Sequence, residues 1–180
     1  MSKIVVTGPK SSGKSSIGQR LAQLRKLPFY DLDEQIEKIF EEEEKIRLSF
    51  REIFKRHGEN KFRELEIQAI KSLAGLNGIL LSTGGSTFFN EEAKNLLIKD
   101  SHIILLHNTP EILWQRTARK GIPPYLEGVI DPQGAFCDRV EKVLDSLKPI
   151  AELNMETGDL SVEDVAQMLD LEIEYRKIQI

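Results

Sequence analysis

Cysteine occurs once in the 180 residues, at Cys137. A single thiol closes no internal disulfide and builds no cysteine cluster for zinc, so a reducing compartment is expected. Tryptophan also occurs once, and aromatic residues make up only 7%. No apolar run approaches the roughly 18 residues of a membrane span, and the opening MSKIVVTGPK is too short an apolar stretch for a signal peptide. A cytoplasmic chain with no membrane partner is expected. An excess of basic charge is missing too: 25 Lys and Arg against 29 Asp and Glu leave −4. That balance, with no patch of interleaved aromatic and basic residues, argues against a nucleic-acid partner. No internal repeat and no Pro/Gly/Ser linker divides the chain, so residues 1–180 read as a single domain, which needs no staple at this length.

What is present is a rhythm of short apolar runs, glycine turns and helical stretches. Residues 3–7, 29–32, 78–82 and 102–107 have strand length and apolar character. Residues 15–24, 36–47, 51–73 and 110–117 carry helical patterns, the third broken near His57-Gly58. Asn108-Thr109 before Pro110 marks one helix start, and Ser161 before Glu163-Asp164 marks the last. Continuous apolar strands alternating with helices indicate a parallel sheet covered on both faces. Two stretches depart from this rhythm. Glu41 to Glu44 are four glutamates in a row, expected to form a solvated helix face. Residues 119–134, RKGIPPYLEGVIDPQG, hold too many prolines and glycines for a regular element. A long irregular segment in a compact domain points to a lid, expected over about 118–134.

Gly8-Pro9-Lys10-Ser11-Ser12-Gly13-Lys14-Ser15 satisfies G-x-x-x-x-G-K-[ST], with a strand before it and a helix after it. Glycines allow the backbone to wrap a phosphate closely, and the following helix adds the positive end of its dipole. Lys14 is placed to meet the β- and γ-phosphates, and the Ser15 hydroxyl to ligate Mg²⁺, an ion that prefers hard oxygen. A nucleoside triphosphate, ATP, is the expected ligand; no Asn-Lys-x-Asp guanine signature occurs. The motif leaves open whether the chain hydrolyses, switches or transfers.

Three further groups bear on that choice. Asp31-Leu32-Asp33 ends the second strand, where alternation would put both carboxylates on one side. One acid suits a water-mediated metal contact, the other a hydroxyl to be oriented or deprotonated. Arg63 and Glu66 are three apart on a helix and share a face, so the carboxylate can aim the guanidinium at an anion. Gly84-Gly85 follows the third strand and permits close backbone approach to a ligand. Each group alone has an ordinary structural explanation.

Taken together and in this order, GPKSSGKS, DLD, GENKFRELE and GGS resemble the shikimate kinase family of P-loop small-molecule kinases, most closely over residues 3–117. The resemblance implies a three-layer α/β/α sandwich: a P-loop NTPase fold whose central parallel sheet has five strands in nucleoside-monophosphate-kinase-like order. A lid and an acceptor-binding helical region over about 33–65 come with it. It implies that Gly8, Ser11, Ser12, Gly13, Lys14, Ser15 and Ser16 cradle ATP, with Lys14 catalytic. Ser15 and Asp31 serve Mg²⁺. Asp33 contacts acceptor hydroxyls and accepts the proton. Arg63, oriented by Glu66, holds a substrate carboxylate. Gly84 and Gly85 offer backbone N–H groups to the acceptor, and Arg116 lies near the adenine.

The chain departs from the family pattern in three places. Pro123 stands where the lid arginine belongs, Leu147 where a later arginine would grip the acceptor's carboxylate, and Ser86 replaces a third glycine. Proline offers no charge to a transferring phosphoryl group. Arg119, Lys120, Arg139 and Lys148 are the nearby cations that can compensate. Shikimate is the expected acceptor; a different polyhydroxylated or sugar acid, and a non-catalytic ATP-binding paralogue, are the alternatives. A monomer is expected. Cys137, His57, His102, His107 and Trp114 are read as packing or surface residues, and the role of the tail 172–180 is left open.

Overall fold

The computed structural model describes residues 2–180. Five strands form one parallel sheet: β1 (Lys3–Thr7), β2 (Phe29–Asp31), β3 (Leu80–Ser82), β4 (Ser101–His107) and β5 (Leu153–Glu156), in the order β2-β3-β1-β4-β5. Val5 pairs with Leu81 on one side and Ile103 on the other, so the central strand is bonded along both edges. Every crossover is helical. The helices are α1 (Lys14–Arg25), α2 (Leu32–Glu44), α3 (Phe50–Leu73), α4 (Glu91–Ile98), α5 (Pro110–Ala118), α6 (Pro132–Leu147) and α7 (Val162–Tyr175).

Alternation along buried strands builds the two core layers. Ile4, Val6, Leu80, Ile104 and Leu106 face α1 and α7, while Val5, Leu81, Ile103 and Leu105 face α2, α3, α4 and α6. Ile173 and Ile178 join the first layer, and His102 holds the Gln179 carbonyl at 3.1 Å, so the tail is docked on the sheet. A smaller cluster of Leu113, Leu126, Phe136 and Val140 lies beneath residues 119–131, with the Trp114 ring 5.5 Å from Phe136. The four glutamates at the end of α2 are exposed, as expected for a solvated face.

Several boundaries differ from the sequence reading, each for a local reason. Helix α2 begins at Leu32 rather than Ile36, because the Asp31 carboxylate caps it by accepting the Asp33 N–H at 3.0 Å. Helix α6 begins inside the segment read as a lid: Asp131 accepts the Gly134 N–H at 2.9 Å, and Pro132 fits the first helical position. The irregular stretch is therefore 119–131, with one 3-10 turn at Pro124–Leu126. Strand β3 starts at Leu80, two residues later than read. The break in α3 falls at Gly58 (φ 79°, ψ 177°), where the helix changes direction before carrying Arg63 and Glu66. Among the described residues, no helix is long and apolar enough to cross a membrane.

Candidate active site

The C-terminal ends of β1, β2 and β3 open into one cavity of about 490 Å³. This is the rim where parallel α/β sheets place ligands. Its floor is the loop between β1 and α1. Gly8 lies so close to β4 that a Cβ there would overlap the Leu106 carbonyl oxygen. Gly8, Ser11, Gly13, Lys14, Ser15 and Ser16 all line the cavity. Ser12 does not: it is fully buried, and its hydroxyl donates to the Pro9 carbonyl at 2.9 Å, fixing the loop from beneath. The Ser11 hydroxyl meets that of Thr117 at 2.8 Å, tying the loop to the end of α5.

Lys14 donates to the Pro9 carbonyl at 2.8 Å. Burial, with Lys10 beside it, brings its pKa down to about 8, although Asp33 and Asp31 oppose that shift. The Ser15 hydroxyl donates to Asp31 at 2.6 Å. One Asp31 oxygen thus holds Ser15 while the other caps α2. A hydroxyl and a carboxylate side by side suit Mg²⁺, which keeps several waters and takes few protein oxygens. Asp33 projects from the first turn of α2 into the same cavity. Burial and the neighbouring Asp31 push its pKa up to about 6, against the pull of Lys14 and Lys10. The two acids share the cavity because a helix starts between them, not because of strand alternation; Leu32 turns into the core.

Opposite the loop, Arg63 donates to Glu66 at 2.6 Å and lies 3.5 Å from Glu59. Glu66 is buried, and its second oxygen accepts the Thr87 hydroxyl at 2.7 Å. This pair of bonds leaves the carboxylate no freedom and fixes the Arg63 fork at the cavity wall. Gly84 and Gly85 line the cavity too. The Gly85 N–H, however, donates to the Gly8 carbonyl at 3.0 Å and is not offered to a ligand. Its glycine is required for space instead: a Cβ would overlap Val143 of α6 and lie 2.9 Å from the Gly8 oxygen.

Of the four cations near the absent arginines, Lys120 and Arg139 line the cavity; Arg119 and Lys148 do not. Pro123 lines it, while Leu147 is fully buried in the core. Arg116 lies outside the cavity, bonded to the Gly158 carbonyl at 2.5 Å and 3.5 Å from the Thr157 hydroxyl. The sequence reading missed Lys10, Arg51, Phe54 and Tyr125, all in the lining. Lys10 sits inside the phosphate motif at a position the pattern leaves free, so its type was visible but its direction was not.

A family model described as shikimate kinase matches residues 10–170. The shikimate kinase of Pasteurella multocida (strain Pm70) is 35% identical over 170 residues, 93% of each chain. The chain belongs to the shikimate kinase family. A shikimate kinase of Thermus thermophilus is 33% identical over 168 residues, 91% of this chain and 85% of that protein. Among solved structures, shikimate kinase from Acinetobacter baumannii in complex with shikimate superposes with a TM-score of 0.84 at 26% identity, covering 99% of this chain and 96% of that one. A gluconokinase from Sinorhizobium meliloti shares the fold at TM-score 0.55 and 18% identity. Membership of the shikimate kinase family makes the chain a phosphotransferase with an alcohol acceptor, built on the P-loop kinase fold.

Proposed function

We propose that the chain transfers the γ-phosphoryl group of ATP to a hydroxyl of shikimate, with Mg²⁺. One observation carries this reading: a single cavity brings the phosphate loop together with a raised-pKa carboxyl, Asp33, and the Arg63–Glu66 pair. The Acinetobacter baumannii relative, whose fold this chain shares over nearly its whole length, was solved with shikimate.

In this reading the loop backbone and Lys14 hold the triphosphate, and Arg63 holds the acceptor's carboxylate. Ser15 directly, and Asp31 through water, would hold Mg²⁺, which when bound neutralises phosphate charge. Asp33 orients the acceptor hydroxyl and takes its proton as the oxygen bonds to the γ-phosphorus and the bond to ADP breaks. A carboxyl with a pKa near 6 is ionised at neutral pH yet more basic than an exposed one, which suits a proton acceptor. Residues 119–131 act as the lid that excludes water. Arg116, set against Thr157 and Gly158, marks the adenine side. We read the protein as a cytoplasmic monomer.

A second reading, another polyhydroxylated acid as acceptor, is favoured by Pro123 in the cavity wall and by the burial of Leu147. ADP release with ATP and Mg²⁺ tests both. Strong stimulation by shikimate is expected. Stimulation only by another acid of a panel supports the second reading, and none by any acid supports a non-catalytic paralogue.

A further inference from the structure

The cavity is cationic in a protein that is not. Lys10, Lys14, Arg51, Arg63, Lys120 and Arg139 line it, against the carboxylates Asp31, Asp33, Glu59 and Glu66. That surplus of two positive charges stands in a chain of net charge −4. The surplus is not spread evenly. Lys10 and Lys14 belong to the phosphate loop and lie near Asp33. Arg63 already meets two glutamates. Arg51, Lys120 and Arg139 have no carboxylate within ion-pair distance among the described residues, and of these three Arg139, on α6, is the one stacked between two rings, Tyr125 and Phe89, at the cavity.

Arg139 is nonetheless held. Its guanidinium carbon lies 4.8 Å from the centre of the Tyr125 ring, in the segment 119–131, and 5.9 Å from that of Phe89, which ends the turn after Gly85. Aromatic rings attract a guanidinium without consuming its N–H donors. Its place along α6 is also fixed. Val143, one turn further on and on the same face, packs where a Cβ of Gly85 would stand. Arg139 therefore borders the glycine turn that forms the acceptor side of the cavity. Position 147 cannot contribute there, because Leu147 is enclosed in the core between α6 and the sheet.

We infer that Arg139 grips the anionic group of the acceptor, and that Tyr125 positions it. The inference rests on the proposed function and adds a specificity-determining residue that the family pattern does not place here. The guanidinium would form a paired contact with a carboxylate, while the Tyr125 ring links that contact to the segment over the site. A carboxylate-bearing acceptor is therefore preferred over a neutral one of the same shape.

The test compares shikimate with its carboxamide in wild type, Arg139→Met and Arg139→Lys. The Arg139→Met change should raise the acceptor KM about 30-fold and leave the ATP KM within about 2-fold, the size expected when a charged hydrogen bond to one ligand is removed and the other ligand is untouched. Arg139→Lys keeps the charge and the stem and should fall between, because it lacks the fork. In wild type the carboxamide should be at least about 10-fold poorer than shikimate; in Arg139→Met that penalty should shrink to about 3-fold or less. Tyr125→Leu should raise the acceptor KM in wild type but add nothing to Arg139→Met. An active wild type with an unchanged carboxamide penalty in both arginine variants would overturn the inference while leaving the proposed function standing. No turnover of any polyhydroxylated acid by wild type would overturn both. If Arg139→Met fails to fold, Arg139→Lys decides by the same penalty.

Discussion

The two halves that the proposed function assigns to the cavity, one for phosphate and one for acceptor, are built in opposite ways. The phosphate side comes from one contiguous stretch, Gly8 to Ser16, between a central strand and the helix that follows it. Its chemistry is mostly backbone, so sequence spacing nearly determines it. The acceptor side is collected from α2, α3, the turn after β3, residues 119–131 and α6. Its chemistry is in side chains, and their meeting depends on how distant segments pack. On the proposed function the phosphate side can therefore stay constant while the acceptor side exchanges residues, as Pro123 in the lining illustrates.

Disabling one half shows whether the other responds. Lys14→Ala should reduce kcat at least about 10²–10³-fold with every acceptor, since it removes charge stabilisation at the transferring group. A coupled ADP assay measures this, and an acceptor-dependent loss would contradict a shared phosphate side. Asp33→Asn should reduce kcat about 10²–10⁴-fold, the usual range for a positioned base, while ATP affinity by calorimetry stays within about 2-fold. The pH profile refines the assignment. With Asp33 near 6 and Lys14 near 8, wild-type kcat/KM should rise through the first value and fall through the second. Asp33→Asn should lose the acidic limb.

Smaller effects probe the joint between the halves. Gly85→Ala should destabilise the protein by about 1–3 kcal/mol in urea unfolding, because its Cβ overlaps Val143 and crowds the Gly8 carbonyl. Glu66→Gln should raise the acceptor KM about 10-fold and spare the ATP KM, as Arg63 loses a charge-assisted partner. Smallest, Asp33→Asn should raise Tm by about 2–4 °C at pH 8. The sign follows from linkage. Folding raises this carboxyl from 3.8 to about 6, so its unfavourable contribution appears as pH rises through that interval and is complete above it. The gain should disappear below about pH 4, where the carboxyl is protonated in both the folded and unfolded states.

Four of the five strands were legible in the sequence because buried parallel strands and caps are local signals; β5 and α4 were not read from the residues, and the strand order came from the family resemblance. The runs at 3–7 and 102–107, the break near Gly58 and the Ser161 cap all sit close to where the residues indicate. The phosphate loop was legible for the same reason. Asp31 and Asp33 were legible as a pair, but their geometry comes from a helix start that alternation does not describe. Gly85 was visible as a glycine, yet its use depends on Val143, far away in sequence, pressing against it. Arg51 and Tyr125 carry no local signal for the cavity; only the packing of α3 and residues 119–131 brings them there.

Following the phosphorus atom itself decides whether the cavity has an acceptor side at all. Wild-type protein given ATP labelled in the γ-phosphate, Mg²⁺ and shikimate should place the label in a shikimate phosphate ester, identified by ³¹P NMR and mass. Label appearing only as inorganic phosphate, at a rate shikimate does not change, would mean that water is the acceptor and would contradict the assignment of Asp33, Arg63 and Arg139 to an acceptor site.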